Sequence, residues 1–112
     1  MDCIFCKIVS GSIPSKKVFE DDQVFAFHDI DPKAPKHILV IPKKHIASLA
    51  EAKPEDAALM GRLLLAVVDI AREQGLGKGY RVAISTGPEG GQTVDHIHLH
   101  LLGGRQMHWP PG

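Results

Sequence analysis

The chain has 112 residues, and its 13 lysines and arginines are matched by 13 aspartates and glutamates, leaving a formal net charge of zero with histidine neutral. Balanced charge gives no general attraction for nucleic acid or an anionic membrane surface, so a small ligand is the better expectation. One domain spanning residues 1–112 is expected, burying about two-thirds of its unfolded surface, and a chain this small gains from pairing with a second copy. The N-terminus, MDCIFCKIVSG, carries Asp2 where a secretion signal has basic residues, and no apolar run approaches a membrane span. A soluble, cytoplasmic protein is expected. Its two cysteines, Cys3 and Cys6, are too few for a disulfide framework and suit a reducing compartment.

In chain order, Asp2 is placed to cap a short helix over residues 3–9, which Gly11 and Pro14 end. Residues 16–20 and 23–28 read as two strands joined by a hairpin at Asp21-Asp22. The β-branched run HILVI, residues 37–41 between Pro35 and Pro42, reads as a third strand. One long helix runs from Pro54 to Gln74, with Gly75 past its end. Its apolar residues (Leu59, Met60, Leu63, Leu64, Leu65, Val67, Val68, Ile70 and Ala71) exceed the stripe about 100° wide that a surface helix needs. One face is expected on a sheet; the other is expected against a partner subunit, or else under the chain's own loops. Residues 80–85 and 96–102 complete a set of five strands, separated by the glycine-rich GPEGGQT. The fold class is α+β.

The last of these strands contains DHIHLHLL, residues 95–102. Side chains alternate across a strand, so His96, His98 and His100 share one face and Ile97, Leu99 and Leu101 the other, with successive imidazoles about 6.5–7 Å apart. Burying three imidazoles without partners costs of the order of 1–3 kcal/mol each, so a packing role is a poor explanation and a metal or catalytic site a better one. Cys3 and Cys6, three apart on a short helix, share a face and can supply two thiolates to a tetrahedral metal; His45 and His96 are the favoured completing ligands. A lone CxxC pair is equally compatible with a redox couple or two small buried thiols. GPEGGQT offers Gly87, Gly90 and Gly91, where backbone N–H groups can approach a phosphate, but no Gly-Lys-Ser/Thr follows as in a triphosphate loop.

The run His96-Ile97-His98-Leu99-His100-Leu101-Leu102 matches the His-φ-His-φ-His-φ-φ signature, φ being apolar, of the histidine-triad (HIT) superfamily. With "FEDDQVFAFHDIDPKAPKHILVIPKKHI", "GLGKGYR" and "GGQTVDHIHLHLLGGRQMHWPPG", nearly the whole chain resembles the nucleotide-binding branch that acts as purine nucleoside phosphoramidases. The resemblance implies a HIT-like fold: a five-stranded antiparallel sheet with one long and one short helix, paired in a homodimer as a ten-stranded sheet. It implies His98 as the nucleophile on the α-phosphorus of an adenosine or guanosine phosphoramidate, through a nucleotidyl-histidine that water then cleaves to the nucleoside monophosphate. An imidazole, with an ordinary pKa near 6.5, is a competent nucleophile at pH 7. By the same resemblance His100 donates to phosphoryl oxygens, His37 polarises the centre, and Thr93 stands where the family has a serine that helps the leaving amine.

Also by resemblance, Asp29 accepts from both ribose hydroxyls, and Ile4, Phe5, Ile8, Phe27, His28 and Ile30 form a purine slot. Ser85, Gly91, Gln92 and Thr93 complete the nucleotide contacts, Ser85 standing where the family often has asparagine. Trp109 is expected near the partner subunit's site, shaping the room for the leaving amine, or else as an aromatic anchor of the dimer. Zinc-bearing relatives imply Cys3, Cys6, His45 and His96 as four ligands of a structural zinc, with no catalytic cofactor. The rival readings are an interaction module whose catalysis is incidental and a dinucleoside polyphosphate hydrolase.

Overall fold

Glycine and proline punctuate the chain where its elements turn. The computed structural model describes residues 3–112. In order come α1 (Ile4–Ser10), β1 (Lys17–Glu20), β2 (Val24–His28), β3 (Lys36–Pro42), α2 (Ala57–Glu73), β4 (Tyr80–Ala83) and β5 (Leu99–Gly103), with 3₁₀ turns at Leu49–Glu51 and Pro54–Asp56. Asp2, expected to cap α1, lies outside the described residues; Cys3 is the N-cap, its Sγ accepting from the Cys6 amide at 3.3 Å. Gly11 closes the helix at φ 85°, left-handed backbone that disfavours a side chain, and its N–H returns to the Ile8 carbonyl. The expected hairpin forms: Asp21 Oδ1 accepts from the amides of Gln23 and Val24, and Asp21 Oδ2 pairs with Arg62 on α2.

All five strands pair antiparallel in the order β1-β2-β3-β5-β4. Alternation gives the sheet two apolar faces. Val24, Ala26, Ile38, Val40, Leu99 and Leu101 pack against Leu63, Ala66, Val67 and Ile70 of α2. Phe25, Phe27, Leu39 and Ile41 pack on the other face against Cys3, Phe5 and Ile8 of the α1 segment. Each fully buried aliphatic side chain stabilises the fold by about 1.5–3 kcal/mol, so α2, with Leu63, Val67 and Ile70 essentially sealed, is firmly held.

Three boundaries differ from the expectation by two residues or more. The first turn of the long helix, Pro54–Asp56, is 3₁₀, and the α-helical part begins at Ala57. β4 stops at Ala83 rather than at residue 85. β5 begins at Leu99, so His96 and His98 precede the ladder. Leu99 pairs with Val40, and the same register continued back sets Ile97 opposite Pro42, which has no N–H to donate. The Ile97 amide instead donates to the Ile46 carbonyl at 2.7 Å, drawing the segment toward the loop that follows β3.

The outer face of α2 is open: Leu64 is 49% exposed, Leu65 62% and Val68 38%, so the chain's own loops do not cover it among the described residues. No helix of the described chain is long and apolar enough to cross a membrane.

Candidate functional site

Although β5 starts late, the alternation of side chains holds. Leu99 and Leu101 point at α2, while Phe5 of α1 packs edge-on against His96 and His98, with ring centroids 5.9 and 5.2 Å apart. His98 and His100 rings are 5.0 Å apart, and His100 meets His37 of β3.

Backbone hydrogen bonds decide what each imidazole can do. His98 Nδ1 lies 2.8 Å from the carbonyl oxygen of His96, which can only accept; Nδ1 therefore carries the proton and Nε2 keeps a free lone pair. At His37 the polarity is reversed. The Lys33 amide donates to Nδ1 at 3.0 Å, so the proton of the neutral ring is on Nε2, which donates to His100 Nδ1 at 2.9 Å. That fixes His100 as well: its Nδ1 accepts, and its Nε2–H on the opposite edge is a donor. Asp29 Oδ2 stands 3.5 Å from His37 Nε2, and Oδ1 accepts from the Asp31 amide. Burial lowers the His37 pKa, with Lys33 adding to the effect against the opposing pull of Asp29 and Asp31. Burial, reinforced by His98 and His37, lowers His100 to about 4, so it stays neutral well into acid. Asp29, His37 and His100 are close enough to suggest a cation site. With Nδ1 of His37 held by an amide, however, its ring has no second lone pair, and these groups are joined by protons instead.

The second cluster has the opposite character. His96, fully buried, donates Nε2–H to the Pro42 carbonyl at 2.8 Å, which leaves Nδ1 as a lone pair. That Nδ1 is 3.3 Å from Cys3 Sγ, 3.6 Å from Cys6 Sγ and 3.2 Å from His45 Nδ1; Cys6 Sγ is 3.4 Å from His45 Nδ1. All four ligand atoms lie within 4.8 Å of one another. A tetrahedral ion with bonds of about 2.0–2.1 Å to nitrogen and about 2.3 Å to sulfur sets N···N near 3.3 Å and N···S near 3.5 Å, so the four donors fit. Burial, with Cys3 alongside, raises the Cys6 thiol above its ordinary value, so a cation is needed to hold it as thiolate at neutral pH. His45 is delivered by the segment after β3, where Lys44 pairs with the buried Asp56 at 2.6 Å.

Beside His37 opens a cavity of about 720 Å³, lined by Pro14, Ser15, Lys16, His28, Asp29, Ile30, Pro32 and Pro35. It gathers three of the expected nucleotide contacts, His28, Asp29 and Ile30, and Ile30 is fully exposed to it and to solvent. Of the other expected slot residues, Phe5, Ile8 and Phe27 are buried on the α1 side of the sheet, Phe5 against His98, and Ile4 is 48% exposed on α1. Phe5 packs edge-on to Phe27 with ring centroids 5.5 Å apart. Pro14, Ser15, Lys16, Pro32 and Pro35 were not anticipated, because irregular loops have no periodicity to read. The turn at residues 87–91 also departs from expectation. The amides of Gly90 and Gln92 bond to the Gly87 carbonyl and that of Gly91 to Pro88, while the Gly87 amide is taken by the Gln92 side chain, so these N–H groups stabilise the turn itself. Ser85 is half-buried just past β4, and Thr93 is exposed just after the turn. Trp109 is 83% exposed beyond Arg81, whose guanidinium donates to the His108 carbonyl.

The HIT domain model matches residues 10–107. The chain is 59% identical over 111 residues to an uncharacterized HIT-like protein of Synechococcus elongatus, covering 99% of this chain and 97% of that protein. It is 51% identical over 111 residues to Adenylylsulfatase HINT1 of Arabidopsis thaliana (97% of this chain, 76% of that one), and 50% identical over 113 residues to the 14 kDa zinc-binding protein of Brassica juncea (99% and 100%). The crystal structure of a HIT family hydrolase from Legionella pneumophila matches it with a TM-score of 0.98 at 51% identity, covering 99% of this chain and all of that one. Matched by the HIT domain model over residues 10–107 and by these proteins over nearly its whole length, the chain belongs to the HIT family.

Proposed function

We propose that this protein is a hydrolase of purine nucleoside 5′-phosphoramidates, with His98 as the nucleophile. The observation that carries the reading is the bond from His98 Nδ1 to its own backbone, which leaves Nε2 free beside the hydrogen-bonded pair His37–His100. Nε2 attacks the α-phosphorus and forms a P–N bond while the leaving amine departs with its electron pair and takes up a proton. Water then attacks phosphorus, the electron pair returns to Nε2, and AMP or GMP is released. His100 Nε2–H steadies the phosphoryl oxygens, with His37 holding its ring; Thr93 stands by the leaving group, and Asp29 receives the ribose hydroxyls. The cavity that includes His28, Asp29 and Ile30 has room for a nucleoside.

Adenylylsulfatase HINT1 suggests a second leaving group, sulfate, on the same adenylyl centre. Adenosine 5′-phosphoramidate, adenylyl sulfate and a diadenosine polyphosphate are therefore assayed together. AMP release fastest from the phosphoramidate, with an adenylyl adduct on His98 trapped by an alkaline quench, in which a phosphorus–imidazole bond survives, supports the reading; faster release from either other substrate replaces the substrate class, and undiminished turnover by His98→Ala overturns the nucleophile.

Cys3, Cys6, His45 and His96 would hold one zinc per chain, a reading supported by the ligand separations and by a relative named as zinc-binding. Four protein ligands close a tetrahedral ion, so its contribution is to tie α1 to the histidine segment. The open face of α2, with Leu64, Leu65 and Val68, supports a homodimer in which two sheets merge into ten strands. Sedimentation at micromolar concentration is expected to give twice the chain mass of 12.2 kDa, and Leu65→Glu to give the monomer.

A further inference from the structure

The side chain of Gln92 is fully engaged inside the protein. Its Oε1 accepts from the Gly87 amide at 2.9 Å, and its Nε2 donates to the carbonyls of Ala47 at 2.7 Å and Val94 at 2.9 Å. Because both of those carbonyls can only accept, the amide orientation is fixed and both N–H hydrogens are used. Three separate segments meet on this one group: the glycine turn, the stretch following His45 and Ile46, and the approach to His96. The turn it holds has little slack, since a Cβ on Gly90 would lie 2.3 Å from the Thr86 carbonyl oxygen. Immediately after it comes Thr93, exposed, with neither its amide nor its hydroxyl bonded to any described residue.

We infer that Gln92 is a positioning residue rather than a nucleotide ligand: its amide clamps the 87–91 turn against residues 47 and 94 so that Thr93 presents its N–H and hydroxyl to the reacting phosphate. This rests on the proposed reaction, in which Thr93 stands by the group leaving the phosphorus that His98 attacks. Removing the clamp leaves the turn attached at both ends but free to shift by a fraction of an ångström to an ångström, enough to misplace Thr93 by about 10- to 100-fold in rate.

The test combines Gln92→Ala, Thr93→Val and the double variant with adenosine 5′-phosphoramidate, alongside hydrogen exchange of the nucleotide-free proteins. Gln92→Ala is expected to lower kcat about 10- to 100-fold with KM within about 3-fold. The double variant is expected to fall no more than about 3-fold below Thr93→Val alone, since a group acting through Thr93 has little left to do once Thr93 is disabled. Exchange of the Gly87 amide is expected to accelerate at least about 10-fold. Additive losses, a raised KM with kcat unchanged, or unchanged Gly87 exchange would each overturn the inference. Should Gln92→Ala not fold, Gln92→Glu makes the same measurements: its carboxylate faces two carbonyls, and its activity relative to wild type is expected to rise toward pH 5 as the protonated acid recovers one donor. Wild type inactive on every adenylyl substrate refutes the proposed reaction, while the exchange experiment, made without nucleotide, judges the clamp separately.

Discussion

His96 and His98 are two residues apart and touch the same phenylalanine, yet they are prepared for opposite tasks. At His96 the backbone takes Nε2–H, through Pro42, and leaves Nδ1 facing two sulfurs and a second imidazole. At His98 the backbone takes Nδ1–H, through the carbonyl of His96, and leaves Nε2 as the lone pair. Residue type is the same in both places; the carbonyl that holds one nitrogen selects the chemistry of the other. His37 shows the third possibility, an amide donating to Nδ1 that makes the far nitrogen a donor.

If the two centres are as separate as their hydrogen bonds suggest, they can be disabled one at a time. The largest effect is expected from His98→Ala, which should lower turnover of adenosine 5′-phosphoramidate by more than about 10⁴-fold while metal analysis still finds one zinc per chain. Cys3→Ala with Cys6→Ala should do the reverse, emptying the metal centre while turnover survives at moderate temperature. Its stability, measured by guanidinium unfolding with zinc present, should fall by about 4 kcal/mol if free zinc exceeds the dissociation constant 1,000-fold. Zinc content undiminished in that double variant would remove these ligands from the assignment, and turnover lost in proportion to zinc would merge the two centres into one.

The smallest effect concerns protons. His37 and His100 both titrate below the ordinary histidine value of about 6.5 in the fold, His100 at about 4, chiefly because burial disfavours the charged ring. Across that window the unfolded chain binds protons that the native chain refuses. Their contribution to stability is therefore fully present above about pH 6.5 and is lost as pH falls toward 4. Guanidinium unfolding of wild type and His100→Asn at pH 7 and 4.5 checks the sign: the variant should lose less stability between the two. An equal loss in both would show that His100 is not the group refusing the proton. Any metal released by acid leaves both proteins alike, so the difference isolates His100.

The alternation of Val24 and Ala26 with Phe25 and Phe27, and of the three histidines with Ile97, Leu99 and Leu101, was legible because side-chain direction on extended chain follows from position alone. The surplus apolar residues of α2 were legible for the same kind of reason, and Leu64, Leu65 and Val68 are indeed left over. Other features lie outside any local pattern. The late start of β5 depends on Pro42 in a different strand. A core Phe27 and one that borders a ligand read identically in sequence, since both are apolar residues in a strand; its packing against Phe5 of α1 is visible only in the fold. His45 belongs with Cys3, Cys6 and His96 through a loop 39 residues from Cys6, which spacing alone does not specify. The amide that sets the His37 tautomer, from Lys33, is backbone and has no sequence signature at all.

In the proposed reaction, the bond between His98 Nδ1 and the His96 carbonyl would also govern how the covalent adduct falls apart. Once phosphorus is joined to Nε2, the ring keeps its Nδ1 proton and carries a positive charge, which that carbonyl dipole accommodates. A phosphorylated imidazolium is a far better leaving group than an imidazolide would be, so water meets an activated ester-like centre rather than a stable amide. On that proposal the proton would stay on Nδ1 through both halves of the cycle, and His98 would return to its starting state in the same step that releases the nucleotide.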